Sequence, residues 1–226
     1  AFLLRDLGIE SVPLNFLLSP AELVKIVADA GIDLVLAVEH FAPLVGGVGA
    51  RLLPLNGRTL VPRRMTVPDA AADNLAAMIY TSGTSAEPKG VRLTFRNLTE
   101  NVRASVESAR ITPDQVLLSV LPQFHSFGFT VMTVLPLMIG ATVHFLPRFS
   151  PAAVVHAIEE KRASIFIAVA SMYAAINKLK SAGPAALASL RLAISGGEPL
   201  PASVATTFEE RFGVQQVGST VGWTPL

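Results

Sequence analysis

The chain has 226 residues, 51% of them hydrophobic and 15% charged, with a net charge of +1. That length buries a substantial core, and a near-neutral balance without a basic block leaves no electrostatic reason to expect nucleic acid or an anionic membrane as partner. No cysteine is present, which excludes disulfides, thiolate metal sites and a cysteine nucleophile.

The opening AFLLRD has neither an initiator methionine nor a basic stretch ahead of an apolar run. No signal peptide is expected, and the chain reads as the inside of a longer protein; the lack of cysteine fits a cytoplasmic location, which is the expectation. Ser19-Pro20-Ala21-Glu22 has the form of a capping box with proline at the first helical position, predicting a helix from Pro20 to about Ala30. Gly31 ends it, and Asp33 to Val38 reads as a buried strand. Residues 43 to 74 hold glycines, prolines and Arg63-Arg64 with little periodicity, and are expected to form irregular connections and short edge strands. Two apolar strand candidates follow, NLAAMIY at 74 to 80 and Val91-Arg92-Leu93, with a loop between them. Thr94 is placed to cap a helix carrying Leu98, Val102 and Val106 on one face.

From Gln115 to Pro147 there is no Asp, Glu, Lys or Arg, and a run of that length is a candidate membrane span. Pro122, Gly128, Pro136, Gly140 and Pro147 punctuate it, so it reads instead as a strand (Val116 to Leu121), a buried helix (about Phe127 to Ile139) and a strand (Ala141 to Leu146). Ser150-Pro151 starts another helix, to about Lys161. A strand from Ser164 to Ala168, a helix from Ser171 to Ser181, a strand from Leu190 to Ile194, a helix from Pro201 to Phe212 and a strand from Val214 to Val217 complete the pattern. Apolar strands alternating with amphipathic helices predict an α/β fold, with mainly parallel sheets covered by helices on both faces.

In such folds ligands bind beyond the carboxyl ends of the strands. Three loops there carry unusual polar or glycine content: 81 to 90, 122 to 128 and 195 to 201. In the first, Thr81-Ser82-Gly83-Thr84-Ser85 precedes Pro88-Lys89-Gly90. Successive backbone N–H groups, hydroxyls and a lysine make an anion-binding nest. The spacing is not that of a Walker loop, since Pro88 stops a helix from starting there. A plain hairpin turn remains the alternative on composition alone.

YTSGTSAEPKGV, residues 80 to 91, resembles the phosphate-binding signature of the adenylate-forming enzymes, the AMP-dependent synthetases and ligases, departing at Ala86 where glycine is usual. LPQFHSFG, from Leu121 to Gly128, resembles their second signature, in which an aromatic or histidine borders the acyl and phosphate pockets. Ser195-Gly196-Gly197-Glu198-Pro199-Leu200-Pro201 resembles the segment whose backbone packs against adenine. With VPLNFLLSPAEL at 12 to 23, the resemblance covers roughly residues 8 to 214, and FHSFGFT with SGGEPLP looks most like fatty-acyl synthetases.

The resemblance implies ATP-dependent activation of a carboxylic acid, fatty in the first instance, to an acyl-adenylate. The acyl group then passes to a thiol, of coenzyme A or of the phosphopantetheine on an acyl carrier protein. It implies cofactor-binding roles for Thr81, Ser82, Gly83, Thr84, Ser85, Lys89, Gly196, Gly197, Glu198 and Pro199, and catalytic roles for Lys89 and His125. Mg²⁺ would be held through phosphate oxygens, with no metal ligand among these residues. His40, His144 and His156 keep the ordinary reading of structural histidines.

After Val214 the family usually continues to Tyr-Gly-x-Thr-Glu, whereas this chain reads QQVGSTVGWTPL, from Gln215 to Leu226. The expectation is therefore a partial adenylation domain over 1–226, without the small C-terminal domain. A non-catalytic relative that binds nucleotide or acyl chain weakly is the alternative. A peripheral membrane association is compatible with an acyl substrate, and no transmembrane span is expected.

Overall fold

Helix α1, Pro20–Asp29, starts where the capping box places it. The Ser19 hydroxyl accepts from the Glu22 N–H at 3.4 Å, and the Glu22 carboxylate accepts from the Ser19 N–H at 2.8 Å and its hydroxyl at 2.7 Å. Those bonds, the hydroxyl first, hold the Glu22 carboxyl below its ordinary value. The computed structural model describes residues 10–55, 71–81, 88–214 and 217–219. It divides into two units, Ala1–Leu98 and Thr99–Leu226.

In the first unit, β1 (Leu34–Val38) and β2 (Arg51–Leu55) pair in parallel, joined through a short helix, α2 (Ala42–Val45). β1 is not the fully buried strand its composition predicts. Val35 is buried, whereas Leu36 and Val38 are 48% and 45% exposed. The reason is the period of two: in a two-stranded sheet with one covered face, alternate side chains stay outside. The covered face packs Val35 with Leu23 and Val27 of α1 and with Val45 and Val48. Strands β3 (Leu75–Thr81) and β4 (Lys89–Thr94), with the loop between them where expected, form an antiparallel hairpin. Thr94 caps α3 (Phe95–Ala109) as predicted, its hydroxyl accepting from the Asn97 N–H at 3.1 Å.

The second unit is built on one parallel sheet. Its strands are β5 (Val116–Ser119), β6 (Thr142–Phe145), β7 (Ile165–Ala168), β8 (Leu192–Ser195) and β9 (Val217–Ser219), in the order β6-β5-β7-β8-β9. Residues 115 to 147 form strand, helical segment and strand as expected, and among the described residues no helix is long and apolar enough to cross a membrane. The helical segment is not one helix. It runs as α4 (Ser126–Phe129), a π-helical turn (Thr130–Val134) and α5 (Leu135–Ile139). Pro136 has no N–H for the Met132 carbonyl, and the wider turn takes up the missing bond, with Leu135 N–H reaching back to Thr130.

Helix α6 (Pro151–Lys161) begins after Ser150 with proline in its first turn, although the Ser150 side chain makes no cap bond. Helix α7 (Ala170–Asn177) stops short of the predicted Ser181, and α8 (Ala202–Phe212) follows β8. One face of the sheet packs Leu118, Phe166, Ala168 and Ala193 against Val154 and Ile158 of α6, Tyr173 and Ile176 of α7, and Phe208 of α8. The opposite face is covered too, since Leu117, Ile165, Ile167 and Ile194 are also buried. The fold class is thus α/β with a parallel sheet buried on both sides.

Two polar devices lock these layers. The Tyr173 hydroxyl, fully buried, shares its proton between the carbonyls of Phe166 (2.9 Å) and Ile194 (3.0 Å), tying α7 to β7 and β8. The Arg211 guanidinium of α8 donates to the carbonyls of Asn177, the last residue of α7, and of Leu179 and Ala182 in the turn that follows. Its cation also lies 5.0 Å from the Phe212 ring centre.

Helix α6 ends on Arg162 at φ 51, a left-handed position that favours glycine. Arg162→Gly should relieve the Cβ strain and raise stability by roughly 0.5–1 kcal/mol. A lower melting temperature in that variant would mean that the arginine side chain contributes more than its backbone costs.

Candidate functional site at the carboxyl edge of the parallel sheet

All five strands of the second unit run the same way, so the loops after β5, β7 and β8 leave one edge of the sheet. After β5 the chain turns tightly through Pro122 to Gly128. A Cβ on Gly128 would lie 2.2 Å from the Pro122 carbonyl oxygen, so only glycine permits this closure. The His125 N–H donates to that carbonyl at 3.2 Å, and the His125 carbonyl accepts from Phe129 N–H at 2.8 Å. The imidazole Nδ1 accepts from the Phe127 N–H at 3.3 Å, capping α4. With Nδ1 used as an acceptor, the neutral ring carries its proton on Nε2. The ring itself is exposed, while Phe127 beside it is buried.

The loop after β8 meets this turn directly. A Cβ on Gly196 would fall 2.5 Å from Cζ of the Phe127 ring, so the ring occupies the space a side chain at 196 would need. The Gly196 N–H donates to the Ala168 carbonyl at the end of β7, at 3.1 Å. Gly197 follows at φ +81, and its would-be Cβ lies 3.6 Å from Val169. The Glu198 carboxylate, half-buried, accepts from the Ser171 N–H at 2.6 Å, at the start of α7. The loops after β5, β7 and β8 thus form one continuous rim.

In the first unit, the hairpin β3–β4 sets Thr81 opposite Lys89 and Tyr80 opposite Gly90. Thr81 and Lys89 are both exposed at the hairpin mouth. Ser82, Gly83, Thr84, Ser85 and Ala86 lie outside the described residues. The strand pair just below the mouth is anchored. A Cβ on Gly90 would sit 2.8 Å from the Met78 sulfur and 3.0 Å from the Tyr80 ring. The Tyr80 hydroxyl donates to the carboxylate of Asp29, the last residue of α1. Desolvation, with that hydrogen bond and the Asp29 charge behind it, pushes the Tyr80 phenol up to about 12.

The structure therefore brings His125, Gly196, Gly197 and Glu198 to one rim, and Thr81 with Lys89 to one hairpin mouth. Among the described residues no group of three or more His, Cys, Asp or Glu side chains could hold a metal ion. Sequence reasoning did not find Phe127, Ser171 or Asp29. Phe127 lies inside a quoted motif and carried a signal; Asp29 and Ser171 act on residues 51 and 27 positions away and carried none.

A family model described as AMP-binding enzyme matches residues 6–224. The chain is 33% identical over 207 residues to a feruloyl-CoA synthase of Amycolatopsis sp, covering 90% of this chain and 42% of that protein. It is 32% identical over 240 residues to the mitochondrial malonate–CoA ligase of Homo sapiens, covering 92% and 42% respectively. Among solved structures, a malonyl-CoA ligase in a ternary product complex with methylmalonyl-CoA and AMP superimposes with a TM-score of 0.82 at 30% identity, over 94% of this chain and 46% of that one. ATP-bound MatB from Rhodopseudomonas palustris superimposes with a TM-score of 0.78 at 29% identity, over 89% and 42%. The chain thus spans about two fifths of the length of the curated relatives it matches.

The two tyrosines of the chain, Tyr80 and Tyr173, give a direct check on the anchored hairpin. Both phenols are shifted up, Tyr173 by burial, so the folded protein should release no phenolate near pH 10, and Tyr80 should ionise near 12. Tyrosines ionise near 10 in the unfolded chain, so their stabilising effect is full below that pH and is lost as pH rises towards 12. Tyr80→Phe should flatten part of this alkaline loss. Phenolate absorbance rising at pH 10 in a chain that is still folded would mean the Tyr80–Asp29 bond is absent.

Proposed function

We propose that this chain, which belongs to the AMP-binding enzyme family, supplies the nucleotide- and acid-gripping part of an ATP-dependent acid–thiol ligase. The observation that carries this reading is the rim, where the family's second and third motifs meet through the Phe127 ring on Gly196. The reaction begins as a carboxylate oxygen attacks the α-phosphorus of ATP. The bond to pyrophosphate breaks, leaving an acyl-adenylate. A thiol sulfur then attacks the acyl carbon and AMP departs.

The residues supply what those steps need. Charge builds on phosphate oxygens in the transition state, and donors fixed beforehand stabilise it without reorganising. Lys89 and the Thr81 hydroxyl supply such donors at the hairpin mouth, with Ser82 to Ser85 completing the loop. The bent backbone of Gly196 to Pro199, with Gly197 at φ +81, is the surface proposed to receive adenine. His125, exposed on the rim with its Nδ1 engaged as an acceptor, is the donor proposed for a phosphate or acyl oxygen. Magnesium, when bound, would neutralise phosphate charge and would be held through phosphate oxygens.

For the acceptor we propose coenzyme A, because the relatives named above are CoA synthases and ligases; an acyl carrier protein is the alternative thiol. For the acid, the curated relatives include enzymes named for ferulate, malonate and medium-chain fatty acids. The charge-free stretch from Gln115 to Pro147, which contains His125, supports an acid with an apolar body, a fatty chain or an aryl ring.

ATP should raise the melting temperature of the purified chain by a few degrees, since a ligand at 100 times its Kd contributes about 2.7 kcal/mol. Lys89→Ala removes a charge-assisted bond and should weaken ATP binding about tenfold. Unchanged binding in that variant would take the hairpin out of the site. Pyrophosphate exchange dependent on ferulate, malonate or a medium-chain fatty acid decides between the ligase and a binding-only relative.

A further inference from the structure

Helix α7 begins without a conventional cap. Its N-cap residue is Val169, which offers no side-chain acceptor, and valine is among the poorest residues at that position. The second N–H of the helix, on Ser171, has no carbonyl of its own helix to reach. Glu198 supplies the missing acceptor from 27 residues downstream, through a short charge-assisted bond of 2.6 Å. A carboxylate there also meets the positive end of the helix dipole.

The same bond acts in the other direction. Gly197, at φ +81, and Pro199, with its fixed ring, flank Glu198, so tying the carboxylate to α7 sets the path of the intervening backbone. That path is held at three points: the Gly196 N–H on Ala168, the Gly196 Cα under the Phe127 ring, and Glu198 on Ser171. Resemblance alone made Glu198 a nucleotide ligand. One of its two carboxylate oxygens, Oε1, is engaged by the protein itself.

Building on the nucleotide reading above, we propose that Glu198 is a positioning residue. It holds the Gly196–Pro199 backbone in the shape that receives adenine by capping α7, and its charge does not contact the nucleotide.

The test uses the full chain with Glu198→Ala and Glu198→Gln, and two probes, ATP and inorganic tripolyphosphate. Glutamine keeps an acceptor oxygen and loses only the charge. In Glu198→Ala, the Ser171 amide should exchange with solvent at least about tenfold faster and ATP affinity should fall about tenfold, with tripolyphosphate affinity unchanged. Glu198→Gln should restore both amide protection and ATP affinity to within about threefold of the parent chain. Loss of ATP affinity in Glu198→Gln equal to that in Glu198→Ala, with Ser171 still protected, would show that the charge contacts the nucleotide and would overturn the proposal. ATP binding indifferent to Glu198→Ala would overturn it alone. A parent chain that binds neither probe would overturn the nucleotide reading and this role together, while Ser171 exchange would still report on the cap.

Discussion

The space left by the missing side chain of Gly196 is filled by the ring of Phe127. Much of the rim depends on that contact. Strands β5 and β8 are not neighbours, since β7 runs between them, and their loops have no backbone ladder to hold them together. A buried aromatic ring seated on a bare Cα supplies the connection by dispersion and close packing. Any larger residue at 196 would push the ring away. Phe127 is the second residue of α4, so His125 at the helix N-cap would move with it.

Such a rim is only as well defined as the sheet beneath it. The strands are short, four residues each for β5 to β8, so their ladders alone fix little. The layer of helices compensates. Tyr173 reaches two strand carbonyls from α7, and Phe166, Tyr173, Phe208 and Phe212 pack as a chain of tilted and edge-on rings. Arg211 closes the far end of α7 while Glu198 closes its start. One short helix is thus tied to α8 at one end and to the rim at the other. The polar groups of the core fasten backbone to backbone, which an apolar side chain in their place could not do.

How much of this was legible in the sequence follows from the range of each interaction. Capping at Ser19 and Thr94 acts within three residues, and both helices begin where predicted. Alternating strand and helix predicted the parallel sheet, and the rule that ligands gather at carboxyl ends singled out three loops, of which the structure shows those at 122 and 195 in contact. Composition misjudged β1, because a run of aliphatic residues does not say how many faces of the strand are covered. It smoothed over the π-helical turn, because Pro136 was read as punctuation and not as the loss of one particular hydrogen bond. Glu198 with Ser171 and Asp29 with Tyr80 stayed invisible for a different reason. No local pattern pairs residues that only the fold makes neighbours.

The hairpin has a further electrostatic consequence. In phosphate-binding loops that open onto a helix, the helix N-terminus contributes partial positive charge and a row of free N–H groups. Here the loop after Thr81 returns through Lys89 into a strand, and α3 begins only at Phe95, beyond β4. The positive end of a helix is therefore not continuous with the loop. Among the described residues the hairpin mouth carries the ammonium of Lys89, which stands opposite Thr81 in register. A lysine is a flexible point charge, and its aim depends on the backbone that carries it. Gly90 lies tight against Met78 and Tyr80, and Tyr80 is held in turn by Asp29. The strand pair just below the hairpin mouth is held by side-chain packing and by Tyr80 on Asp29, not by a helix that starts at the loop.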